Sequence, residues 1–244
     1  MNDPARQAVS EDEFPDETHG EFRLEEIETH ERINDILLGP LERPALKWLA
    51  AHLPSWINPD MMTTIGVIGA VIILAGYWLT NYNRYFLWLA SLGFVVNWYG
   101  DSLDGTLARF RNIQRPKYGF FVDHTVDSFN ETLIFIGLGL SPYVRIEIAL
   151  LALAGYLLMS ILVFVRTSVL GVFKISYGKL GPTEVRVIAI LANTLVFFGG
   201  NPVYQIAFVS ISLFDLIGVV IAMLLFGIYI FSALAQAREL ADAD

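Results

Sequence analysis

The sequence contains no cysteine and few charged residues. Cysteine is absent from all 244 residues, and Asp, Glu, Lys and Arg together make up only 17%. The lack of cysteine excludes a disulfide framework, a thiolate zinc site and a cysteine nucleophile. Hydrophobic residues reach 55%, and the mean hydropathy is +0.52. A soluble domain has about 45–50% apolar and roughly 25% charged residues. The composition therefore excludes a disordered chain and a nucleic-acid-binding domain, and it argues against a soluble enzyme.

The acidic charge is confined to the N-terminal part of the chain. Residues 1–44 hold 13 Asp and Glu against 4 Arg, which accounts for the whole net charge of −9. Residues 1–20 are polar, and we predict a disordered acidic tail there. They lack a basic segment followed by an apolar stretch, so we expect neither a signal peptide nor a transit peptide.

Residues 21–57 carry recurring apolar side chains interrupted by Pro40, Pro44 and Pro54. No apolar run in this segment is long enough to cross a membrane, so we predict amphipathic helices that lie on the membrane surface. Pro44 suits the first turn of a helix that runs to about Leu53.

Six long apolar segments follow within residues 58–238. Since about 20 apolar residues cross the hydrocarbon core of a bilayer, they predict an all-α integral membrane bundle of six transmembrane helices. The predicted spans are 61–79, 85–100, 119–140, 148–165, 187–214 and 216–235. The fifth segment is too long for one simple span, and the Gly-Gly-Asn-Pro sequence at 199–202 interrupts it.

The Lys and Arg residues of the membrane domain lie mainly in two loops. Spans two and three are joined by a loop with four basic residues, spans four and five are joined by another such loop, and the opposite loops hold only Arg84 and Arg145. The positive-inside rule therefore places both basic loops and both termini in the cytoplasm. We expect the inner membrane if the cell is prokaryotic.

Four aspartates flank the first basic loop. Asp101 and Asp104 share one helix face, and Asp123 and Asp127 share another. If these faces oppose, the four carboxylates converge in one pocket at one membrane depth. Each buried carboxylate is costly, and the nearest Lys and Arg in the sequence lie in the loop outside this pocket. Oxygen ligands favour Mg²⁺ or Mn²⁺, and two such ions would balance the cluster.

The spacing of these aspartates forms part of a longer motif. Its eight fixed positions are Asp101, Asp104, Gly105, Ala108 and Arg109, followed after nine residues by Gly119, Asp123 and Asp127. This pattern resembles the signature of the CDP-alcohol phosphotransferase, or CDP-alcohol phosphatidyltransferase, family, D-x2-D-G-x2-A-R followed by G-x3-D-x3-D. The resemblance covers roughly residues 40–236.

The resemblance implies a membrane enzyme of phospholipid synthesis. Such an enzyme transfers a phosphoalcohol group from a CDP-alcohol to an acceptor hydroxyl, releases CMP, requires two Mg²⁺ or Mn²⁺ ions and forms homodimers. It implies that Asp101, Asp104 and Asp123 bind metal. Asp127 would ligate or lie beside the ions and act as the general base.

The remaining motif residues suit the CDP group of the donor. Gly105 lets a nucleotide approach the backbone, and Ala108 keeps the same face clear. Arg109 can pair with a diphosphate through its guanidinium fork. Gly119 and Thr63 complete the expected CDP-binding set. Asp60, at the start of span one, is expected to cap its helix.

His124 follows Asp123 directly. This Asp-His pair resembles the choline and ethanolamine phosphotransferase branch, in which the histidine has been proposed to take part in catalysis. The alternative interpretation is a hydrogen-bonded polar residue on the neighbouring face.

Charged residues also flank span five. Arg166, Lys174, Glu184 and Arg186 would line the acceptor side of the pocket, or their basic members would simply follow the positive-inside bias. Thr183 and Glu184 also suit a helix start.

Two substrate arrangements remain open, and we favour the first of them. The basic residues around span five favour CDP-diacylglycerol as donor with a polar alcohol as acceptor. The Asp123-His124 pair favours a CDP-choline or CDP-ethanolamine donor with a lipid hydroxyl as acceptor. A divalent-cation transporter is the alternative of a different class, but a transporter does not require the Gly, Ala and Arg positions of the motif.

Overall fold

The computed structural model describes residues 37–170, 181–206 and 209–243. These ranges hold seven helices: α1 Gly39–His52, α2 Pro59–Leu79, α3 Phe86–Phe110, α4 Pro116–Leu140, α5 Ile146–Leu170, α6 Pro182–Gly199 and α7 Leu213–Ala243. The predicted all-α membrane bundle is confirmed. The predicted tail 1–20, residues 21–36 of the predicted amphipathic segment, and Lys174 lie outside the described residues.

Four of the described helices are long and apolar enough to cross a membrane. They are Pro59–Leu79, Ile146–Val169, Pro182–Gly199 and Leu213–Asp242. Helices α3 and α4 have 25 residues each, but they carry the charged residues of the motif. The predicted number of six spans therefore stays a prediction.

The fifth predicted span ends earlier than expected. Helix α6 stops at Gly199, and Gly200 follows with φ 74°, a left-handed conformation that glycine adopts without a steric penalty. Strands β1 (Val203–Ile206) and β2 (Val209–Ser212) then pair antiparallel in a β-hairpin, with Val203 opposite Ser212. The interruption at 199–202 is confirmed, and the sequence did not predict the two strands that follow it. Four-residue apolar strands cannot be told from helix by periodicity alone.

Helix α1 begins before the predicted position. It starts at Gly39 with Pro40 in its first turn, so Pro44 lies inside the helix rather than at its start. Leu46 and Ala50 of α1 pack against Leu103 and Leu107 of α3. This contact attaches α1 to the membrane bundle.

Helix α2 packs between α3 and α4, which contact α2 more extensively than they contact each other. Small residues allow the closest approach of α2 and α3. A Cβ added at Gly100 would lie 2.5 Å from the carbonyl oxygen of Met62, and one added at Gly69 would lie 2.6 Å from the Cα of Asn97. The buried core on this side joins Ile73, Tyr77, Leu87, Ala90, Phe94 and Val196. Helix α3 also packs against α6, and α4 packs against α5.

Candidate functional site

The candidate site lies where α3 ends and α4 begins. Asn112, with φ 55°, turns the chain after α3 in a left-handed conformation that asparagine tolerates. The five residues 111–115 join the two helices. Because both helices pack on α2, the last turns of α3 and the first turns of α4 lie at the same end of the bundle.

The structure brings the four motif aspartates together. Asp101 and Asp123 both lie close enough to Asp127 to interact electrostatically with it, and they interact with Asp104 in the same way. Single ligand atoms of Asp123, His124 and Asp127 all lie within 4.8 Å of one another. The carboxylates of Asp123 and Asp127 are therefore close enough to repel each other unless a proton or a cation lies between them.

Arg186 of α6 reaches this cluster across the bundle. Its Nη2 donates to Oδ2 of Asp101 at 2.6 Å, and the two side chains are 12% and 19% exposed. From the sequence, Arg186 was expected on the acceptor side of the pocket and no basic partner was expected for the aspartates, whereas the structure pairs Arg186 with Asp101. The reason is tertiary: α6 packs against α3 and carries a residue 85 positions away to the aspartate.

Asp104 is held by two donors. The hydroxyl of Thr63 donates to its Oδ2 at 2.7 Å, and the backbone N–H of Gly105 donates to its Oδ1 at 2.5 Å. Thr63, expected from sequence to contact the CDP group, therefore contacts one of the expected metal ligands.

A cavity of about 390 Å³ lies beside Thr63, between α2 and α4. Its lining includes apolar side chains together with polar side chains near the helix starts: Asp60, Thr63, Thr64, Val67, Tyr118, Val122 and Val126. The guanidinium of Arg115 pairs with Asp60 and lies 4.0 Å from the ring centre of Tyr118. The cavity is therefore lined by apolar side chains on one part, and the Asp60–Arg115 ion pair lies at its edge.

Asp60 does not cap α2. The side chain of Asn58 accepts the N–H of Met61 at 2.9 Å and is the N-cap, with Pro59 as the first helical residue. Asp60 pairs with Arg115 instead. The expected cap at Asp60 is wrong because Asn58 occupies the extended position just before the helix, from which its side chain reaches a free N–H.

The other residues expected at the CDP group lie on the same motif. A Cβ at Gly105 would lie 3.2 Å from Nη1 of Arg109, so the missing side chain leaves room for this guanidinium. Arg109 also donates to Thr106 Oγ1 at 3.3 Å. Ala108 is half-buried, and a Cβ at Gly119 would meet no heavy atom within 4 Å.

His124 lies on the side of α4 that faces α5. Its ring contacts Phe120 edge to face at 4.3 Å and Phe164 of α5 at 5.3 Å between ring centres. Its Nδ1 lies 3.7 Å from Oδ2 of Asp123. The imidazole therefore lies beside the carboxylate of Asp123 and packs against the rings of Phe120 and Phe164.

The four residues expected on the acceptor side are placed differently from one another. Glu184 is 4% exposed, and its two oxygens accept the N–H groups of Leu38 at 2.8 Å and Gly181 at 2.9 Å. The predicted helix start at Glu184 is thus confirmed. Arg166 lies near the end of α5, Arg186 pairs with Asp101, and Lys174 is outside the described residues.

Two further residues near the cluster were not identified from sequence. Glu131 interacts electrostatically with Arg186 and Asp101, and Tyr156 of α5 interacts with Glu131 and Asp127. Glu131 lies four residues after Asp127, so the helical period could have placed it on the same face. Tyr156 has no such signal, because only the packing of α5 on α4 brings it near.

The donor set fits divalent ions. Four carboxylates and an imidazole face each other, whereas one guanidinium, that of Arg186, pairs directly with them among the described contacts. Carboxylate oxygen is the donor that Mg²⁺ and Mn²⁺ prefer. The cluster retains an excess of negative charge that such ions would balance.

The fold and the site define a class: an all-α membrane protein with a polycarboxylate site at the junction of two helices. Comparison with known proteins gives the family. The model of the family described as CDP-alcohol phosphatidyltransferase matches residues 56–218, and the chain belongs to this family.

Three relatives illustrate the breadth of the similarity. A phosphatidylinositol phosphate synthase of Cutibacterium acnes is 34% identical over 37% of this chain and 41% of its own length. An archaetidylinositol phosphate synthase of Pyrococcus horikoshii is 33% identical over 43% and 52%, respectively. Cholinephosphotransferase 1 of Mus musculus is 26% identical over 75% of this chain and 48% of its own length. The chain thus spans about half the length of these curated relatives.

Proposed function

We propose that this protein transfers a phosphoalcohol group from a CDP-alcohol to an acceptor hydroxyl and releases CMP. The observation that carries the proposal is the cluster of Asp101, Asp104, Asp123 and Asp127 in a chain of this family. A membrane-embedded site suits this reaction because one of the two substrates is a lipid.

Asp101, Asp104 and Asp123 would hold two Mg²⁺ or Mn²⁺ ions, with Asp127 ligating or lying beside them. When bound, such ions hold the diphosphate of the donor and offset the charge that develops at phosphorus. Thr63 supports this arrangement, because its hydroxyl fixes one oxygen of Asp104 and leaves the carboxylate oriented.

Asp127 is the general base of the proposed reaction. It takes the proton of the acceptor hydroxyl, the hydroxyl oxygen attacks the β-phosphorus, and the bond from that phosphorus to the bridging oxygen breaks. CMP leaves with the bridging oxygen. His124 is the alternative general base, because one of its ring nitrogens lies within 4.8 Å of a carboxylate oxygen of Asp127.

The cavity between α2 and α4 is the proposed place of the CDP group. It opens beside Thr63, and its rim carries Asp60, which is paired with Arg115. Arg109, Gly105 and Ala108 lie on the last turns of α3, from which the guanidinium can pair with the diphosphate. Gly119 leaves open space at the start of α4.

Contacts in the structure bear on the choice of donor. Arg186 and Glu184, two of the residues that favoured a polar acceptor with CDP-diacylglycerol, are engaged with Asp101 and with backbone N–H groups. His124 lies beside Asp123 and Asp127, and the relative aligned over three quarters of the chain is named cholinephosphotransferase. We therefore place a donor of the CDP-choline type with a lipid hydroxyl acceptor ahead of CDP-diacylglycerol with a polar alcohol.

Donor exchange tests the proposal. Purified protein with Mg²⁺ is incubated with CDP-choline or CDP-ethanolamine plus diacylglycerol, and separately with CDP-diacylglycerol plus polar alcohols such as inositol phosphate. Metal-dependent CMP release with the first set is the expected result. Release only with the second set would reverse the donor assignment. A divalent-cation transporter would release no CMP with either set, and such an outcome would contradict the reaction itself.

We also propose that α2 to α7 all cross the membrane, with residues 21–57 at its surface, both termini in the cytoplasm, and a homodimer as the working unit. The eight basic residues in and around the α3–α4 and α5–α6 connections support this orientation. Labelling of single cysteines introduced into this cysteine-free chain, from either side of the membrane, tests the topology.

A further inference from the structure

A continuous chain of hydrogen bonds crosses from α2 to the acidic cluster. Asn97 of α3 donates through Nδ2 to the carbonyl oxygen of Gly66 at 2.9 Å. Its Oδ1 accepts Nε of Arg186 at 2.8 Å, and Nη2 of the same arginine donates to Asp101 at 2.6 Å. One guanidinium therefore joins an amide and a carboxylate of α3 through two different nitrogens.

The orientation of Asn97 is fixed by its surroundings. Its side chain is fully buried, at 0% exposed, where α2 and α3 approach most closely. Because its NH₂ group satisfies the Gly66 carbonyl, its oxygen must face Arg186. The amide thus presents an acceptor to the arginine and sets the position of the guanidinium.

Arg186 faces several carboxylates. It contacts Asp101 directly and interacts electrostatically with Asp127 and Glu131. Removing one partner of a buried ion pair leaves an uncompensated charge, which is strongly destabilising. An arginine whose charge lies among three carboxylates also opposes the binding of further cations there.

We propose that Arg186 is a positioning residue: held by Asn97, it fixes the carboxylate of Asp101 and supplies positive charge to the acidic cluster in competition with divalent ions. This inference rests on the proposed function, in which Asp101 is a metal ligand. It assigns Arg186 to the metal site rather than to the acceptor.

Two consequences distinguish this role from a merely structural one. Loss of the Arg186 charge strengthens divalent binding, because one competing cation is removed. The same loss slows turnover, because Asp101 is no longer oriented. A structural role would lower stability without moving metal affinity and turnover in opposite directions.

The variants Arg186→Met, Arg186→Lys and Asn97→Leu test the inference. The thermal midpoint of each is measured in chelator and during titration with Mg²⁺ alone, and CMP release gives kcat and KM. Arg145→Gln is the matched control, because Arg145 pairs with Glu147 on an exposed surface, with 48% and 67% of the side chains exposed.

Arg186→Met is expected to lower the half-saturating Mg²⁺ concentration about fivefold or more, which is the lower range of typical coupling between sites. Its kcat should fall about tenfold or more, as for other residues that orient metal ligands. Arg186→Lys should keep the wild-type Mg²⁺ midpoint but lose turnover, because lysine cannot bridge Asn97 and Asp101. Asn97→Leu should also lose turnover, and Arg145→Gln should change neither quantity.

Unchanged kcat in Arg186→Met, or weaker Mg²⁺ binding, would overturn the inference. If this variant does not fold, Arg186→Met combined with Asp101→Asn is examined, since the carboxylate that pairs directly with the arginine is then neutral as well. Recovery of folding supports the pairing, and its absence overturns it. Wild-type protein with no Mg²⁺-dependent stabilisation and no CMP release would instead contradict the proposed function.

Discussion

Carboxylates lie at both ends of the helical bundle, and their partners differ. Asp215, at the start of α7, is 4% exposed and accepts the backbone N–H groups of Arg145 at 2.8 Å and Ser212 at 3.0 Å. At the other end, Asp101 and Asp127 face each other, and Asp123 lies close to both Asp104 and Asp127. One end satisfies its carboxylate with fixed donors, whereas the other gathers carboxylates that repel.

The difference shows that burial alone does not identify a functional acid. Asp215 connects the loop after α4 to the β-hairpin, and its two oxygens accept backbone N–H groups. Among the motif aspartates, Asp104 accepts from Thr63 and Gly105, and Asp101 accepts from Arg186. Several carboxylates gathered at one place fit the oxygen ligands that divalent ions prefer, which is the basis of the proposed metal site.

Removal of divalent ions is the largest expected effect. Chelation should abolish CMP release and lower the thermal midpoint, because the carboxylates of Asp101, Asp104, Asp123 and Asp127 would then repel each other. Adding back Mg²⁺ or Mn²⁺ should restore both quantities. Full activity in excess chelator would contradict the metal site.

Asp127→Asn should reduce kcat about 10²- to 10⁴-fold, the usual contribution of a general base. Nucleotide and Mg²⁺ binding should be partly retained, because the other aspartates remain. Equilibrium binding of CDP-alcohol is measured beside turnover. Near wild-type turnover would exclude Asp127 as the base and leave His124, tested by His124→Gln.

Thr63→Val should lower turnover or Mg²⁺ affinity about tenfold, because Asp104 loses the donor at 2.7 Å. Thr63→Ser is the matched control, since it keeps the hydroxyl. If the serine and valine variants behave alike, the contact does not orient Asp104, and steady-state kinetics against Mg²⁺ would show this.

Asp215→Asn should have the smallest effect on turnover and a measurable effect on stability. An amide group facing two backbone donors loses one hydrogen bond, at a cost of about 1–3 kcal/mol. The thermal midpoint should fall while kcat stays at the wild-type value. Loss of turnover in well-folded Asp215→Asn protein would contradict the purely structural role of Asp215.

Local spacing made part of the site predictable. Asp101 and Asp104 lie three residues apart, and Asp123 and Asp127 lie four apart, so helix geometry alone predicted two acidic faces. The Gly-Gly-Asn-Pro sequence similarly predicted the end of α6. The cap of α2 was misplaced at Asp60, although Pro59 suits the first helical position and therefore marks Asn58 as the N-cap.

The sequence by itself determined that this chain is a helical membrane protein with an acidic motif, since composition and spacing along single helices carry that information. Only the tertiary structure decided which basic residue balances the motif, which donor holds Asp104, and which face of α4 meets α5. The contacts of Arg186 and Asp104 join residues 41 to 89 positions apart in the chain. They depend on how closely glycine-lined helices pack, which no local pattern records.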